Sequence, residues 1–368
     1  MRILQICSAS EMGGGEVHVA DLVRALASRG HAVYLAVRPN SPLREPLAGV
    51  IASWQELPLR NSLDVQSSKA IAELIIKNRI EIVHAHLGRD YFIAAMAARR
   101  AKNCKLVLTR HHYLPMKSNP IYRWMLENVS AFIAVSDSVK NSILERIAPA
   151  PEKVQVIPNW IDPTRFHTID REAARAMFQI RAPLSVACIG QLTPEKGQEE
   201  FVRAIGQISQ RRSDVEYLIA GVEQEDGEPF THRLKELAEF LGIAGRIRFM
   251  GYVHHIPELL AAVDVVVVPS WDEGFSLVTI EALACRRAVL ASNVGGIRGI
   301  IKDNVTGALF PAREVNALAQ KLLWILADST MRDRLAMQGQ IDASARFGRD
   351  NVIDQIEALY TGLLTKKS

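Results

Sequence analysis

Cysteine is scarce in this chain, with Cys7, Cys104, Cys188 and Cys285 far apart along 368 residues. No CxxC pair and no Cys/His cluster with zinc spacing occurs, which argues against a disulfide framework and a structural zinc site. Free, buried thiols are the expectation. Long apolar runs are missing as well. The longest, such as "VDVVVVP", fall well short of the roughly 20 residues that a bilayer-crossing helix needs. The N-terminal "MRILQICSAS" holds one arginine and a six-residue apolar strand. That is shorter than a signal-peptide core, and it lacks a small-residue cleavage pattern. A soluble cytoplasmic protein is expected. Arginine-rich tracts and aromatic–basic interleaving are also absent, so nucleic acid is not an expected partner.

What is present is length, alternation and an uneven charge. A chain of 368 residues can form two domains, each with its own core. Residues 1–165 carry 21 Lys+Arg against 14 Asp+Glu, whereas residues 166–368 carry 23 against 26. The front half is therefore basic by 7 and the back half acidic by 3. A basic front half suits an anionic acceptor or an anionic membrane surface.

The first half alternates short apolar runs with helical patterns. "RILQICSA", "AVYLAVR", "IEIVHAH", "KLVLTR" and "AFIAVS" read as strands. "EVHVADLVRALASRGH", with Gly30 near its stop, "AIAELIIKNR", "YFIAAMAARRA" and "DSVKNSILERI" read as helices. Such alternation implies a parallel sheet with helical crossovers. The pattern lapses at "VIPNWIDPTRF", an expected interdomain linker, and then restarts with six strands, "LSVACIG", "VEYLIAG", "RIRFMGY", "VDVVVVPS", "AVLAS" and "GALFP". The fold class is α/β, with two Rossmann-like doubly wound domains at residues 1–163 and 164–349. Residues 350–368 are assigned to complete the first domain, although their amphipathic pattern does not itself say where they pack. Ligands of such sheets bind at the carboxyl ends of the strands, and the natural site is the cleft between the two.

Three segments carry chemistry. "EMGGGEVHVADL" opens the first helix, where glycines admit a ligand close to the backbone and free N–H groups favour anions. It is a poor dinucleotide fingerprint, because Gly13, Gly14 and Gly15 are contiguous and the second strand ends in Arg38, not in an acid. A plain tight turn is the alternative. "IGQLTPEKGQEEF" puts Lys196 at a strand-to-helix turn, placed to meet a phosphate if it is not simply solvated. "PSWDEGFSLVTIEALAC" places Glu273 in the loop after an apolar central strand. Ser276 is the expected N-cap of a helix from about Leu277 to Cys285, with Glu281 in its second turn. The order is acceptor, anion hole, acceptor, which suits a polyhydroxylated phosphate ester. A surface glutamate on an amphipathic helix is the plainer reading of Glu281.

Taken together, these segments resemble the retaining glycosyltransferases of family 4, which have the GT-B fold. The resemblance covers essentially the whole chain. "EGFSLVTIE" is similar to that family's E-x7-E motif, "GGGE" to its glycine loop, and "TPEKG" to its Lys-Gly loop. "VIPNWIDPTRF" is similar to its linker, with Trp160 where glycine is usual, and "GGIRGIIKDNVTGALF" to the segment after the next strand. The resemblance implies transfer of a sugar from a nucleoside diphosphate sugar to a glycan or lipid-linked acceptor, in cell-envelope or polysaccharide biosynthesis. It implies no cofactor and no metal, a front-face mechanism, and a cytoplasmic location, peripheral to the inner membrane face.

By the same resemblance, Glu273 binds the transferred sugar, and the backbone of Gly274, Phe275, Ser276, Leu277 and Val278 holds sugar and diphosphate. Glu281 takes the ribose, and Lys196 neutralises the leaving group. Gly14 and Gly15 approach the diphosphate from the other domain, and Gly251, Tyr252 and Val253 meet the base. From "TRHH", His111 lies near the reacting sugar, with His112 as its alternative. His86 of "HAH" joins the acceptor side, although a structural histidine is an equal reading there. One departure is Gln191, where many relatives place an arginine as a second cation on the diphosphate. Arg298, also grouped with the acceptor side, is the candidate to compensate. Two rival classes keep this fold: a nucleotide-sugar epimerase and a non-catalytic nucleotide-sugar-binding protein.

Overall fold

The computed structural model describes the whole chain except residues 12, 112–119, 163–164, 167–168, 226 and 366–368 and the side chain at position 121. It divides into two compact units. The first is Met1–Asn159 with Asp350–Ser368, and the second is Trp160–Arg349.

The first unit is built on β1 (Arg2–Cys7), β2 (Ala32–Val37), β3 (Ser53–Glu56), β4 (Ile82–Ala85), β5 (Lys105–Arg110), β6 (Ala131–Ala134) and β7 (Val154–Val156). All neighbours are parallel, in the order β3-β2-β1-β4-β5-β6-β7. Its helices are α1 (Gly14–Ser28), α2 (Val65–Asn78), α3 (Asp90–Ala101), α4 (Pro120–Met125) and α5 (Asp137–Arg146). Five of the seven strands are apolar runs that the alternation predicts. The other two are the sheet's edges, β3 and β7, of four and three residues. Each is too short and too open to show as an apolar run.

The second unit holds α6 (Arg171–Met177), β8 (Leu184–Ile189), α7 (Gln198–Ile208), β9 (Val215–Ala220), α8 (Pro229–Phe240), β10 (Ile247–Gly251), α9 (Ile256–Ala262), β11 (Val265–Val268), α10 (Leu277–Ala284), β12 (Ala288–Ser292), α11 (Ile297–Ile300), β13 (Ala308–Phe310), α12 (Val315–Ala327) and α13 (Ser329–Phe347). Its sheet is also all parallel, in the order β10-β9-β8-β11-β12-β13. Apolar clusters cover both faces. One includes Ala187, Val266 and Ile280, and the other Val186, Phe201 and Val267, so alternate residues of β8 and β11 point to opposite cores.

The last helix, α14 (Arg349–Thr365), packs on the first unit, where Ile353, Ile356 and Tyr360 are buried. Arg29 reaches back to it, bonding Asp354 at 2.5 Å and also Glu357. The break expected at 163/164 lies instead at 159/160. The reason is Ile161, which is buried in the second unit's core. It pairs with α13's end, its N–H donating to Phe347 O at 2.9 Å and its carbonyl accepting from Arg349 N at 2.9 Å. Cys7, Cys188 and Cys285 are buried free thiols, whereas Cys104 is only half-buried.

Candidate functional site

In the second unit the strand order reverses between β8 and β11, which is where doubly wound sheets collect ligands. Lys196 follows β8 and Glu273 follows β11. Lys196 Nζ lies 2.6 Å from Glu273 Oε1, and Ser270 Oγ donates to the same oxygen at 2.9 Å. The Glu273 side chain is 11% exposed and that of Lys196 36%, so the pair is sheltered on the acid's side and open on the amine's. A glycine allows this approach. Gly197, at φ +72°, packs so tightly that a Cβ would stand 2.1 Å from Pro269 O. The same contact is closed by Trp271 N donating to Glu195 O at 2.8 Å. Gly221 is equally constrained, since a Cβ there would lie 1.8 Å from Gly190 O.

The loop carrying Glu273 is braced from behind by Gly295 and Gly296, a role the sequence reading missed. A Cβ would stand 2.3 Å from Glu273 O at the first and 2.1 Å from Gly274 O at the second, and Gly296 N donates to Glu273 O at 2.7 Å. "VGG" is legible as a turn, but the loop it braces is not evident from local pattern.

Ser276 does stand at the N-cap of α10, with extended backbone, yet its side chain caps nothing. Its hydroxyl accepts from Thr279 Oγ1 at 2.8 Å instead. The first-turn N–H groups of α10, from Leu277 and Val278 onward, are left without a side-chain acceptor, a ready seat for an anion. Glu281 follows one turn later and is half-buried; burial pushes its carboxyl pKa up, with the Arg165 guanidinium opposing. Gly274 and Phe275 complete the loop, and the Phe275 ring meets Phe347 edge-on at 5.6 Å.

At the carboxyl ends of β9 and β10, a cavity of about 190 Å³ is lined by Gly221, Thr231, Lys235 and Gly251 among others. Gly251, at φ +63°, ends β10, and Tyr252 beside it is 64% exposed, with Val253 half-buried. Gln191 is exposed, and its carbonyl accepts from Gln198 Nε2 at 2.8 Å. The cation considered to compensate for it is Arg298. That guanidinium is spent on Asn293, donating to its carbonyl at 3.1–3.2 Å and to Oδ1 at 2.9 Å.

In the first unit the order reverses between β1 and β4. Gly14 and Gly15 form the first turn of α1 after Gly13 at the N-cap, whose N–H donates to Glu16 Oε2 at 3.0 Å. Beside this start lies a group of four histidines. His18 and His111 meet edge-on at 5.0 Å, His86 and His111 stack at 6.0 Å, and His84 and His86 lie 4.2 Å apart. His84 is fixed on both sides, by Tyr360 OH at 2.6 Å and Thr109 Oγ1 at 2.6 Å, and His86 Nε2 lies 2.7 Å from Gln5 Oε1.

Burial holds three of them, His18, His84 and His86, neutral. It pushes the His84 pKa down to about 3 and those of His18 and His86 well below the usual value, with neighbouring histidines adding to the shift. His18 and His84 were not singled out from the sequence. A histidine at an apolar position of the "EVHVADL" helix, and one inside an apolar strand, were the available signals. His112 lies outside the described residues. Among the described residues no group of three or more His, Cys, Asp or Glu is arranged to hold a metal ion, and no helix is long and apolar enough to cross a membrane.

The family model for glycosyl transferases group 1 matches residues 170–342, and that for glycosyltransferase family 4 matches residues 12–165. The chain is 25% identical over 372 residues to the N-acetyl-alpha-D-glucosaminyl L-malate synthase of Bacillus anthracis, covering 96% of this chain and 95% of that protein. It is 27% identical over 394 residues to the D-inositol 3-phosphate glycosyltransferase of Geodermatophilus obscurus, covering 96% and 85%. Among solved structures, Anabaena Alr3699/HepE in complex with UDP aligns with a TM-score of 0.88 at 22% identity, over 98% of this chain and 100% of that one. A glycosyltransferase from Rickettsia africae aligns with a TM-score of 0.90 at 22% identity, over 100% and 99%. At that identity the two structures speak for the fold.

Proposed function

Because this chain belongs to glycosyltransferase family 4, with the GT-B fold, we propose that it moves a sugar from a UDP- or GDP-sugar to a hydroxyl of a glycan or glycolipid, with retained anomeric configuration. The observation that supports this best is the Lys196–Glu273 pair at the switch point of the second sheet, beside a helix start that no side chain caps. An ammonium and a row of open N–H groups suit a diphosphate. A sheltered carboxylate beside them suits sugar hydroxyls.

In the reaction, the acceptor oxygen bonds to the anomeric carbon on the face from which the diphosphate departs. The acceptor proton passes to the departing phosphate oxygen. Lys196 and the start of α10 carry the charge that develops on the leaving group, the task at which preorganised donors are most effective. No metal ion is then required. Glu273 accepts from the sugar, Glu281 from the ribose, and the cavity at Gly251 takes the base. The first unit contributes Gly14, Gly15 and His111, with His86 on the acceptor side. Relatives are named for different acceptors, L-malate and D-inositol 3-phosphate among them, so the acceptor must be read from this chain's own first unit. Contact with an anionic membrane is favoured by that unit's basic surface and by Trp124, which is 60% exposed with Arg99 at 4.4 Å over its ring. Flotation with anionic liposomes tests it.

The test of the reaction is transfer and hydrolysis from UDP- and GDP-sugars, followed by chromatography of the nucleoside diphosphate and NMR of the product anomer. Lys196→Ala and Glu273→Ala should each lower kcat by roughly a hundredfold or more, and a chelator should leave the rate unchanged. Full activity in both variants would sink the assignment. An epimerase would interconvert donor sugars with no acceptor present. A binding-only protein, for which Gln191 is the one supporting feature, would bind UDP in a calorimeter without turnover.

A further inference from the structure

At the carboxyl edge of the first sheet, the adjacent strands β3, β2 and β1 deliver three loops to one cavity of about 380 Å³. It is lined by Ser10, Arg38, Pro39, Asn40, Pro58 and Arg60. Two of the six are arginines, and no acid lines it. Elsewhere in this unit, Arg24 pairs with Asp21 at 2.9 Å and Arg44 with Glu56 at 3.1 Å. Arg38 and Arg60 make no side-chain hydrogen bond or ion pair among the described residues. Nearby acids are committed elsewhere. Glu56 is taken by Arg44, Asp64 receives the N–H groups of Arg60 and Ser67, and Asp90 receives Ser8 N at 3.0 Å.

The backbone under both arginines is held in costly geometry. Arg38 starts a turn in which Ser41 N donates to Arg38 O at 3.2 Å, Pro39 stands second, and Asn40 third at φ +60°. That is the pattern of a type II turn, with asparagine in the place usually given to glycine. Arg60 follows Leu59, a buried leucine at φ +42°, a region that bulky residues avoid. The strain is maintained from α2. Ser67 Oγ accepts from Leu59 N at 3.1 Å and donates to Asp64 Oδ2 at 2.8 Å, and the same carboxylate oxygen accepts from Arg60 N at 3.1 Å. Strained backbone persists where its surroundings fix it, and it collects at ligand clamps. Here it fixes the base of two guanidinium groups that make no side-chain hydrogen bond among the described residues, with Asp90 near enough to feel the charge of Arg38 and Asp64 that of Arg60.

We infer that Arg38 and Arg60 form a seat for a phosphate monoester on the acceptor, so that the acceptor is a phosphorylated polyol and not a neutral glycan. The word acceptor rests on the glycosyltransferase reading; the seat itself does not. Two guanidinium forks match the oxygens of one phosphate, and charge-assisted bonds of this kind are among the strongest that side chains make.

The experiment is calorimetry on the full chain with inorganic phosphate, glycerol 3-phosphate, glycerol and malonate, for wild type, Arg38→Gln, Arg60→Gln and Arg38→Lys. UDP binding and donor hydrolysis without acceptor are measured alongside. Saturable binding of phosphate and glycerol 3-phosphate is expected, with glycerol silent and malonate at least several-fold weaker. Each glutamine variant should lose roughly tenfold or more in that affinity. Arg38→Lys should lose less than Arg38→Gln. UDP binding should be unchanged in all of them, and unchanged hydrogen exchange in peptides of the first unit shows that they fold. Equal phosphate affinity in wild type and both glutamine variants would overturn the seat, as would no saturable phosphate binding at all. Malonate binding as tightly as phosphate would overturn the phosphate assignment. Phosphate binding that is retained in a chain that turns over no sugar nucleotide would support the seat and count against the proposed reaction.

Discussion

Replacing His84 by glutamine isolates one proton. In the folded chain this imidazole is 1% exposed, held between Tyr360 and Thr109, and burial pushes its pKa down to about 3. In the unfolded chain it protonates near pH 6.5. Between those values the unfolded state binds the extra proton, so stability falls as the medium is acidified, and the contribution is fully present only above about pH 6.5. At pH 7.5 the effect is near zero. At pH 5.0 the unfolded imidazole is 1.5 pH units below its pKa while the folded one is still neutral, which amounts to about 2 kcal/mol.

The wild-type profile alone would not reveal this. Asp90, whose carboxyl burial pushes up to about 6, gains its proton over the same range and acts in the opposite sense. Both proteins share Asp90, and His18 and His86 lose only the repulsion of His84, a smaller cause of their depressed pKa than burial, so the difference between the two proteins reports chiefly His84. We expect His84→Gln to be less stable than wild type at pH 7.5 and to recover about 2 kcal/mol relative to it at pH 5.0. Because two units can unfold separately, the assay is urea unfolding read by hydrogen exchange in peptides covering β4 and β5. A gap that is equal at the two pH values, or wider in acid, refutes the neutral-histidine argument.

Tyr360→Phe removes one partner of His84 and leaves the other. It should destabilise the first unit by about 1–3 kcal/mol at pH 7.5 in the same assay. Gly197→Ala places a methyl group against Pro269 O at a positive φ. It should lower the second unit's melting temperature by several degrees and weaken UDP binding, as read by thermal shift with and without UDP. Glu273→Gln keeps the shape of the side chain but removes the charge beside Lys196; its kcat should fall by at least tenfold while UDP affinity changes little, a split that steady-state kinetics and calorimetry resolve together.

Much of the second unit was legible. Its inner strands β11 and β12 are near-continuous apolar runs, because a parallel sheet buried on both faces has no polar side to show, whereas β9 and the edge strand β10 carry Glu216 and Arg248, which pair at 2.5 Å. Glu273 and Lys196 stood out for the converse reason, as charges in the loops after such runs, and Glu281 as a charge inside an apolar helix. What local pattern could not show is which loops touch. Gly295 and Gly296 support Glu273 across two adjacent strands, and nothing in "NVGG" names that neighbour. Arg298 looked like a spare cation until Asn293, five residues back, was seen to hold it. The four histidines come from α1, β4 and β5 regions spread over almost a hundred residues, so their meeting is a property of strand order. The edge strands β3 and β7 were hidden by brevity, and the linker was set four residues late because Ile161 looks like loop but packs as core.

The uncapped start of α10 has an energetic consequence. A serine that turns its hydroxyl to Thr279 forgoes a cap worth about 1 kcal/mol, so the unliganded chain keeps one short helix looser at its first turn than its sequence allows. A diphosphate seated there would act as the missing cap. Part of the donor's affinity would then appear as slowed amide exchange at Val278, Thr279 and Ile280, and the tightening of that one turn would be a direct reporter of donor occupancy.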